Sequence, residues 1–216
     1  MNKHDDLIAG LSRDLTPVSP ASNVNLQALV WVLISAIYVV AVTQLFGAAR
    51  PGVVSQLATT PRFLLESLLG IAAILWFSLV AFRAAIPAGL SRQFAVTGIV
   101  LMTLWLAQYV FGLISPALEP SELGKRGHCF WETMAYSALP ILSGLFLIRR
   151  LYPLSFTRTS MSVALSAAML PALYMQLACM YEPTHILSYH ILPGLLMVAA
   201  VGAIVTLWFQ NDNEFG

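Results

Sequence analysis

Charged side chains are scarce in this sequence of 216 residues. Only 10% of the residues are Asp, Glu, Lys or Arg, whereas 58% are hydrophobic. Soluble globular domains carry about 25% charged residues, so this composition excludes an ordinary soluble fold and favours a membrane protein. The formal net charge of +1 provides no basic surface for a nucleic acid, so we expect no direct binding to DNA or RNA.

Cysteines and catalytic motifs are scarce as well. The chain has two cysteines, which do not form a CxxC pair, and two are too few for a disulfide framework. The first 25 residues are polar and lack the apolar stretch and cleavage site of a signal peptide. A nucleophile elbow, a P-loop and an HExxH motif are also missing, so we predict a non-enzyme without a resident cofactor.

Six long apolar segments dominate the rest of the chain. Each has close to the roughly 20 residues that a helix needs to cross a bilayer. The sequence therefore predicts an all-α fold, a polytopic bundle of six transmembrane helices with a short, amphipathic, cytoplasmic N-terminal tail. The predicted parts are the N-terminal tail (1–25), the bundle (26–209) and a cytoplasmic C-terminal tail (210–216). The predicted spans are 26–47, 64–87, 94–115, 130–149, 159–181 and 187–209.

The distribution of Lys and Arg predicts the orientation of the bundle. Cytoplasmic loops of membrane proteins are enriched in these residues. With both termini in the cytoplasm, seven of the eleven cations lie inside, and both cysteines face the more oxidising outer compartment. The cations predicted inside are Lys3, Arg13, Arg83, Arg92, Arg149, Arg150 and Arg158.

The two cysteines are predicted to lie at the same level, at the outer end of a helical hairpin. About 20 residues separate each of them from the turn at 149–158, which at about 1.5 Å per residue places both thiols about 30 Å from that turn. Three interpretations stay open. The thiols could bind a soft metal together with His128 or His185, form a disulfide, or be small buried hydrophobic groups.

Two carboxylates near the same level, Glu66 and Glu132, are costly inside a membrane and are therefore candidates for function. The simpler interpretation is that they pair with Arg62 and Arg126, which lie close to them in the sequence. His190 is a more distant candidate for the same outer cluster.

The tail contains a short helical pattern. Apolar residues recur at the spacing of one helix face, preceded by two aspartates that favour the helix dipole. About ten residues do not form a stable helix in isolation. The segment therefore either frays or lies on the lipid surface, or it folds into a groove on a soluble partner. The apolar residues of this face are Leu7, Ile8, Leu11 and Leu15.

Three stretches carry a family-specific pattern: the tail, the RGHCFW segment at 126–131, and the stretch from Leu177 to Ile204. The cysteine pair matches the pattern as Cys129, at the start of the fourth predicted helix, and Cys179, at the end of the fifth. With these residues the chain resembles the NrsF-type membrane anti-sigma factors. Ala178 stands where that pattern leads us to expect a histidine, and His128 or His185 could substitute for it.

The resemblance implies regulation. Such proteins hold an extracytoplasmic-function sigma factor at the bacterial inner membrane and release it when heavy metal or oxidative stress is sensed. In this chain the resemblance implies that Cys129 and Cys179 form the sensor, with transient binding of a heavy-metal ion. It also implies that the tail docks the sigma factor through Asp5, Asp6, Leu7, Ile8, Leu11, Asp14, Leu15 and Val18. The alternative is a small membrane transporter or a thiol-based membrane enzyme that uses the outer Cys, His and Glu residues.

Overall fold

Helices account for the regular structure of the chain in a computed structural model, which describes residues 3–13 and 23–214. A short helix, α1 (Lys3–Arg13), precedes the bundle. The long elements are α2 (Val24–Phe46), α4 (Pro61–Ala84), α5 (Arg92–Gly112), α6 (Cys129–Arg149), α7 (Phe156–Ala178) and a last segment made of α8 (Pro183–Ile186), a π-helix (Leu187–Ile191) and α9 (Leu192–Glu214). The all-α prediction is confirmed. Among the described residues six helices are long and apolar enough to cross a membrane, so the fold is compatible with a multi-pass membrane protein.

The helix ends differ from the predicted ones for local reasons. α4 begins at Pro61 rather than residue 64, because proline is well suited to the first turn of a helix. It ends at Ala84 rather than residue 87, because Pro87 disfavours helical backbone at the residue before it. α9 continues to Glu214, so most of the predicted C-terminal tail is helical.

One helix was not predicted. The connection between α2 and α4 contains α3 (Val53–Thr59), a helix of 7 residues. The fifth long helix lies three residues earlier in the chain than predicted, since it runs from Phe156 to Ala178 rather than from residue 159 to 181. Cys179 follows it in extended backbone, with φ −101° and ψ 179°, so the chain leaves the helix at the cysteine itself.

α7 is the central helix of the bundle. In its most apolar stretch 67% of the residues are buried, against 22–50% in the other five spans, and it packs against α2, α4, α6 and α9. Small side chains allow this close approach of several neighbours. Its fully buried alanines are Ala164, Ala167, Ala168, Ala172 and Ala178.

The contact between α2 and α6 depends on a glycine. A Cβ at Gly144 would lie 2.5 Å from Val163 Cγ1 and 2.9 Å from Trp31 Cζ2, closer than real Cβ contacts come. The indole of Trp31 occupies this space and its Nε1 donates to Pro140 O at 3.3 Å. A buried polar group of α2 is thus satisfied by the backbone of α6.

Both cysteines lie at one end of the bundle, which we call the cysteine end. The contacts that assemble it join the starts of α4 and α6 to the ends of α2 and α5. Arg62 Nη1 donates to Ser115 Oγ at 3.0 Å, and Arg126 Nη1 donates to Gly47 O at 3.0 Å. At the opposite end Arg83 Nε donates to Asn25 Oδ1 at 2.8 Å, joining the end of α4 to the start of α2.

Candidate functional site

The structure brings the two cysteines into contact. Cys129 is the first residue of α6 and Cys179 is the residue that follows α7, and their Sγ atoms lie 3.1 Å apart. Both are free thiols and both are buried, with 2% and 0% of their surface exposed. A disulfide has an S–S distance of about 2.05 Å, so the pair is poised close to bonding distance without being bonded.

Neighbouring groups stabilise the charged form of one thiol. The hydrogen bond from Cys129 lowers the pKa of the Cys179 thiol; burial opposes this effect, and the imidazole of His185 adds to the lowering. Cys179 Sγ lies 3.6 Å from His185 Nε2, and Cys129 Sγ lies 3.4 Å from Arg126 O. The thiolate is the nucleophile and the metal ligand of cysteine, so this environment favours reactivity.

Two histidines complete a group of four ligand-bearing side chains. One ligand atom from each of Cys129, Cys179, His185 and His190 lies within 4.8 Å of the others. His190 is fully buried, and neither of its ring nitrogens has a hydrogen-bond partner among the described residues. The rings of His185 and His190 stand at 89° to each other with centroids 5.1 Å apart.

The π-helix determines which way His190 faces. In an α-helix residues five apart differ by about 140° around the axis, because each residue turns by about 100°. A π-helix has about 4.4 residues per turn, which brings positions i and i+5 to within roughly 50° of each other. Thr133 lies beside this wider turn, with its Oγ1 2.8 Å from Cys129 O and 3.4 Å from Tyr189 O. The start of α6 and the π-helix are therefore joined directly next to the thiols.

Tyr181 holds the connection between α7 and α8 in place through its backbone and its side chain. Ser121 N donates to Tyr181 O at 2.9 Å in an isolated antiparallel bridge. The Tyr181 hydroxyl accepts from Ala117 N at 3.0 Å, and the ring packs edge-on against Phe63 with centroids 5.5 Å apart. Backbone and side chain together fix the residues that separate Cys179 from His185.

Glu182 holds the first turn of α8. Its carboxylate accepts from the backbone N–H groups of Thr184, at 3.1 Å, and His185. Burial alone would raise the pKa of this carboxyl group, but the hydrogen bonds from His185 and Thr184 outweigh it and leave the pKa below its ordinary value. This N-cap fixes the backbone of His185 relative to Cys179.

Arg126 links the thiol pair to α2. Its Nε donates to Glu132 Oε2 at 2.9 Å, while Nη1 and Nη2 donate to the carbonyls of Gly47 and Thr43 at 3.0 and 3.3 Å. The last carbonyls of a helix have no partner within it, so the guanidinium caps the end of α2. The backbone carbonyl oxygen of the same residue lies 3.4 Å from Cys129 Sγ.

A second buried cation, Arg50, lies beside the site. It is 2% exposed, and its Nε and Nη2 have no hydrogen-bond partner within the described residues. The guanidinium carbon lies 5.7 Å from the ring centroids of both Phe63 and Tyr181, within the range of cation–π attraction. Burial lowers the pKa of Arg50, and the nearby Tyr181 and Cys179 oppose that effect.

A pocket of about 570 Å³ leads from the surface to Cys129, one of the two thiols. Its wall includes Cys129, His185 and Tyr189, whose ring stacks on His185 with centroids 4.7 Å apart. A small ion or oxidant therefore has a route to one sulfur and one imidazole without passing through the core of the bundle.

The predicted site residues have different outcomes. His185 lies beside the cysteines, whereas His128 is exposed and lies outside the group of four ligand-bearing side chains, which includes His190. The pairing predicted for the two carboxylates is confirmed, with Glu66 3.0 Å from Arg62 and Glu132 2.9 Å from Arg126.

The predicted docking face of the tail is described only in part. Asp6, Leu7 and Ile8 are exposed on α1, the two apolar side chains by 60% and 64%. Asp5 and Leu11 belong to the same helix, but their side chains are not among those described. Asp14, Leu15 and Val18 lie outside the described residues.

A family match covers the bundle and the thiol site. The model of the family described as negative regulator of sigma F, NrsF, matches residues 11–209. The chain belongs to the NrsF family. No curated protein and no solved structure matches it. The NrsF name implies a negative regulator with a sigma factor as its partner, which agrees with the prediction of a regulator rather than an enzyme.

Proposed function

We propose that this NrsF protein is a membrane anti-sigma factor that sequesters an extracytoplasmic-function sigma factor at the bacterial inner membrane. It releases the sigma factor when Cys129 and Cys179 sense heavy metal or oxidative stress. The observation that carries the sensing is the contact of two free, buried thiols, 3.1 Å apart, beside a pocket that opens to the surface.

The thiol pair supports two kinds of signal. Oxidation would join the two sulfurs in a disulfide, with release of two protons and transfer of two electrons to an external oxidant such as a peroxide. A soft metal ion would instead bind the two thiolates. Either event fixes the start of α6 relative to the end of α7, because each cysteine sits at the end of its helix.

The charges at the two ends of the bundle support a cytoplasmic location for both termini. The end opposite the cysteines carries five arginines on or beside the ends of α4, α5, α6 and α7. These five are Arg83, Arg92, Arg149, Arg150 and Arg158. The cysteine end carries four cations, Arg50, Arg62, Lys125 and Arg126, and the last three are paired with carboxylates. An excess of cations on the cytoplasmic side then leaves the thiols on the periplasmic side.

Transmission to the tail starts at Arg126. A shift of the start of α6 would move the guanidinium that caps α2, and α2 is the helix that follows the tail directly. A ligand shifts such an equilibrium only when it binds the two arrangements with different affinity. Covalent or metal-mediated linkage of the two thiols provides that difference.

The exposed apolar residues Leu7 and Ile8 support docking of the tail. An amphipathic helix that folds into a groove on a soluble partner presents such a face. The experiment that tests this role compares the full chain with a variant lacking residues 2–20, each purified from membranes under reducing conditions. We expect a sigma factor, identified by mass spectrometry, to co-purify with the full chain only.

A matched variant separates docking from sensing. Replacing both cysteines by serine should leave sigma-factor binding intact and remove release by cadmium or peroxide. Equal co-purification with the full and truncated chains would contradict the docking role of the tail. An undiminished stress response in the double serine variant would contradict the sensing role of the thiols.

A further inference from the structure

His190 is a buried polar side chain that interacts with the Cys179 thiol without a hydrogen bond of good geometry. Its imidazole is fully buried, and both ring nitrogens lack a hydrogen-bond partner among the described residues. Native structures satisfy nearly all buried polar groups, and an exception calls for an explanation such as a missing ion. The nearest candidates to provide that explanation are the two thiols and His185, whose ligand atoms lie within 4.8 Å of one another and of His190.

The spacing of the four ligand atoms is close to that of a tetrahedral metal site. Zinc binds cysteine sulfur at about 2.3 Å and histidine nitrogen at about 2.0 Å, so its ligand atoms lie about 3.3–3.8 Å apart. The sulfurs, at 3.1 Å, would have to separate by about 0.7 Å. The Cys179 Sγ to His185 Nε2 distance of 3.6 Å already lies within the tetrahedral range.

The backbone is built to bring the two histidines together. His185 and His190 are five residues apart, a spacing that an α-helix would place on well-separated faces. The π-helix at Leu187–Ile191 removes that separation. The N-cap by Glu182 fixes His185, and the contact of Thr133 with Tyr189 O fixes the wide turn against α6.

We propose that Cys129, Cys179, His185 and His190 form a four-ligand site for one borderline divalent cation, Zn²⁺ or Cd²⁺. Binding converts two thiols to metal-bound thiolates and releases two protons. The two thiolates balance the charge of the cation, so the occupied site is neutral and suited to burial. Imidazole and thiolate ligands favour such ions over Mg²⁺ or Ca²⁺. Metal binding at this site does not depend on the proposed function. Only the inference that bound metal releases the sigma factor rests on it.

Metal and oxidant then move the thiols in opposite directions. A metal ion separates the sulfurs to about 3.8 Å, whereas a disulfide draws them to about 2.05 Å. The two states exclude each other, because a disulfide leaves no thiolate to bind the ion. Saturation with zinc should therefore protect both cysteines from oxidation.

The test is metal binding to the full chain, purified in detergent, reduced and free of oxygen. Co²⁺ is the first probe, because its visible bands report tetrahedral geometry and its ultraviolet bands report thiolate ligands. Zn²⁺ affinity follows from competition with a chelator. We expect one ion per chain, and more than about 100-fold weaker Zn²⁺ binding in H185A and H190N, because loss of even an outer partner of a ligand costs about 10–100-fold.

The controls distinguish loss of a ligand from loss of the fold. H128A alters an exposed histidine at the same end of the bundle and should bind Zn²⁺ as the wild type does. H190N should still form the disulfide between Cys129 and Cys179 under mild oxidant, which shows that the thiols still meet. If the wild type does not bind Zn²⁺, the proposed site is wrong. It is also wrong if H190N still forms the disulfide and binds Zn²⁺ with the affinity of the wild type.

A separate readout addresses the proposed function. If Zn²⁺ binds through all four ligands but the sigma factor stays bound, the metal site is supported and metal-triggered release is refuted. If peroxide releases the sigma factor but no ion binds, the proposed regulation by the thiols is supported and the four-ligand metal site is refuted.

Discussion

The Arg126–Glu132 pair gives the sharpest test of how the cysteine end is held together. The two side chains are 9% and 18% exposed, and the guanidinium also binds the carbonyls of Thr43 and Gly47. Breaking a fully buried ion pair by removing one partner costs about 3–5 kcal/mol, whereas an exposed pair contributes about 0–1 kcal/mol. Because this pair is mostly buried, we expect R126M to lower the free energy of unfolding by about 2–3 kcal/mol.

The double variant carries the argument. E132L leaves the guanidinium its two carbonyl acceptors and should cost about 1–2 kcal/mol. The double variant R126M/E132L no longer buries an unpaired carboxylate. It should therefore lower the free energy of unfolding by no more than R126M alone does. The coupling energy of the cycle is then about 1–2 kcal/mol.

The assay is equilibrium unfolding in mixed detergent micelles, followed by circular dichroism. The matched control is E122Q, which removes the exposed pair with Lys125 in the same connection and should leave the unfolding midpoint unchanged. Additive effects of R126M and E132L would refute the pairing argument. In cells R126M should also raise sigma-dependent transcription without stress, because α2 loses its cap next to the thiols.

Three further expectations concern the same end of the bundle and its interior. Mild oxidant should form a disulfide between Cys129 and Cys179 of the same chain. Mass spectrometry should detect this as the loss of two thiols that can be alkylated. A disulfide that links cysteines of two different chains would contradict the geometry. G144A should lower the unfolding free energy by about 1–3 kcal/mol through overpacking, while G127A, with no atom near the added Cβ, should not alter the unfolding midpoint. E182A should lower the free energy of unfolding by about 1 kcal/mol, because the helix loses its N-cap. It should also weaken Zn²⁺ binding about tenfold, measured by chelator competition, because His185 is no longer held in place.

The sequence was sufficient to predict the six long helices and the common level of the two thiols. Each apolar run is long enough to span, and a short turn forces the helices on either side of it to run antiparallel. Two cysteines equally far from one turn must then lie at the same level. That argument depends only on helix rise and turn length, and the observed Sγ–Sγ distance of 3.1 Å is consistent with it.

The rotational setting of the helices was not predictable in the same way. Lipid-facing and core-facing surfaces are both apolar here, as the exposed Leu33 and the buried Val32 illustrate, so periodicity does not reveal which side chains face inward. His128 was grouped with the cysteines because it precedes Cys129, yet it lies before the first turn of α6 and points into the solvent. His190 joined the group through a π-helix at Leu187–Ile191, which the spacing of apolar residues along the chain did not predict.

The connection between α7 and α8 has a practical consequence for engineering. Only residues 179–182 join the two helices, and Tyr181 is fixed by Ser121 and Ala117. An insertion there would change the distance between one sulfur and the first imidazole, so a tag or reporter placed in this turn would disable the site it was meant to observe. The connection at 150–155 has no such role, and its Tyr152 and Leu154 are 86% and 84% exposed. Reporters of helix movement belong there, at the far end of the same two helices that carry the thiols.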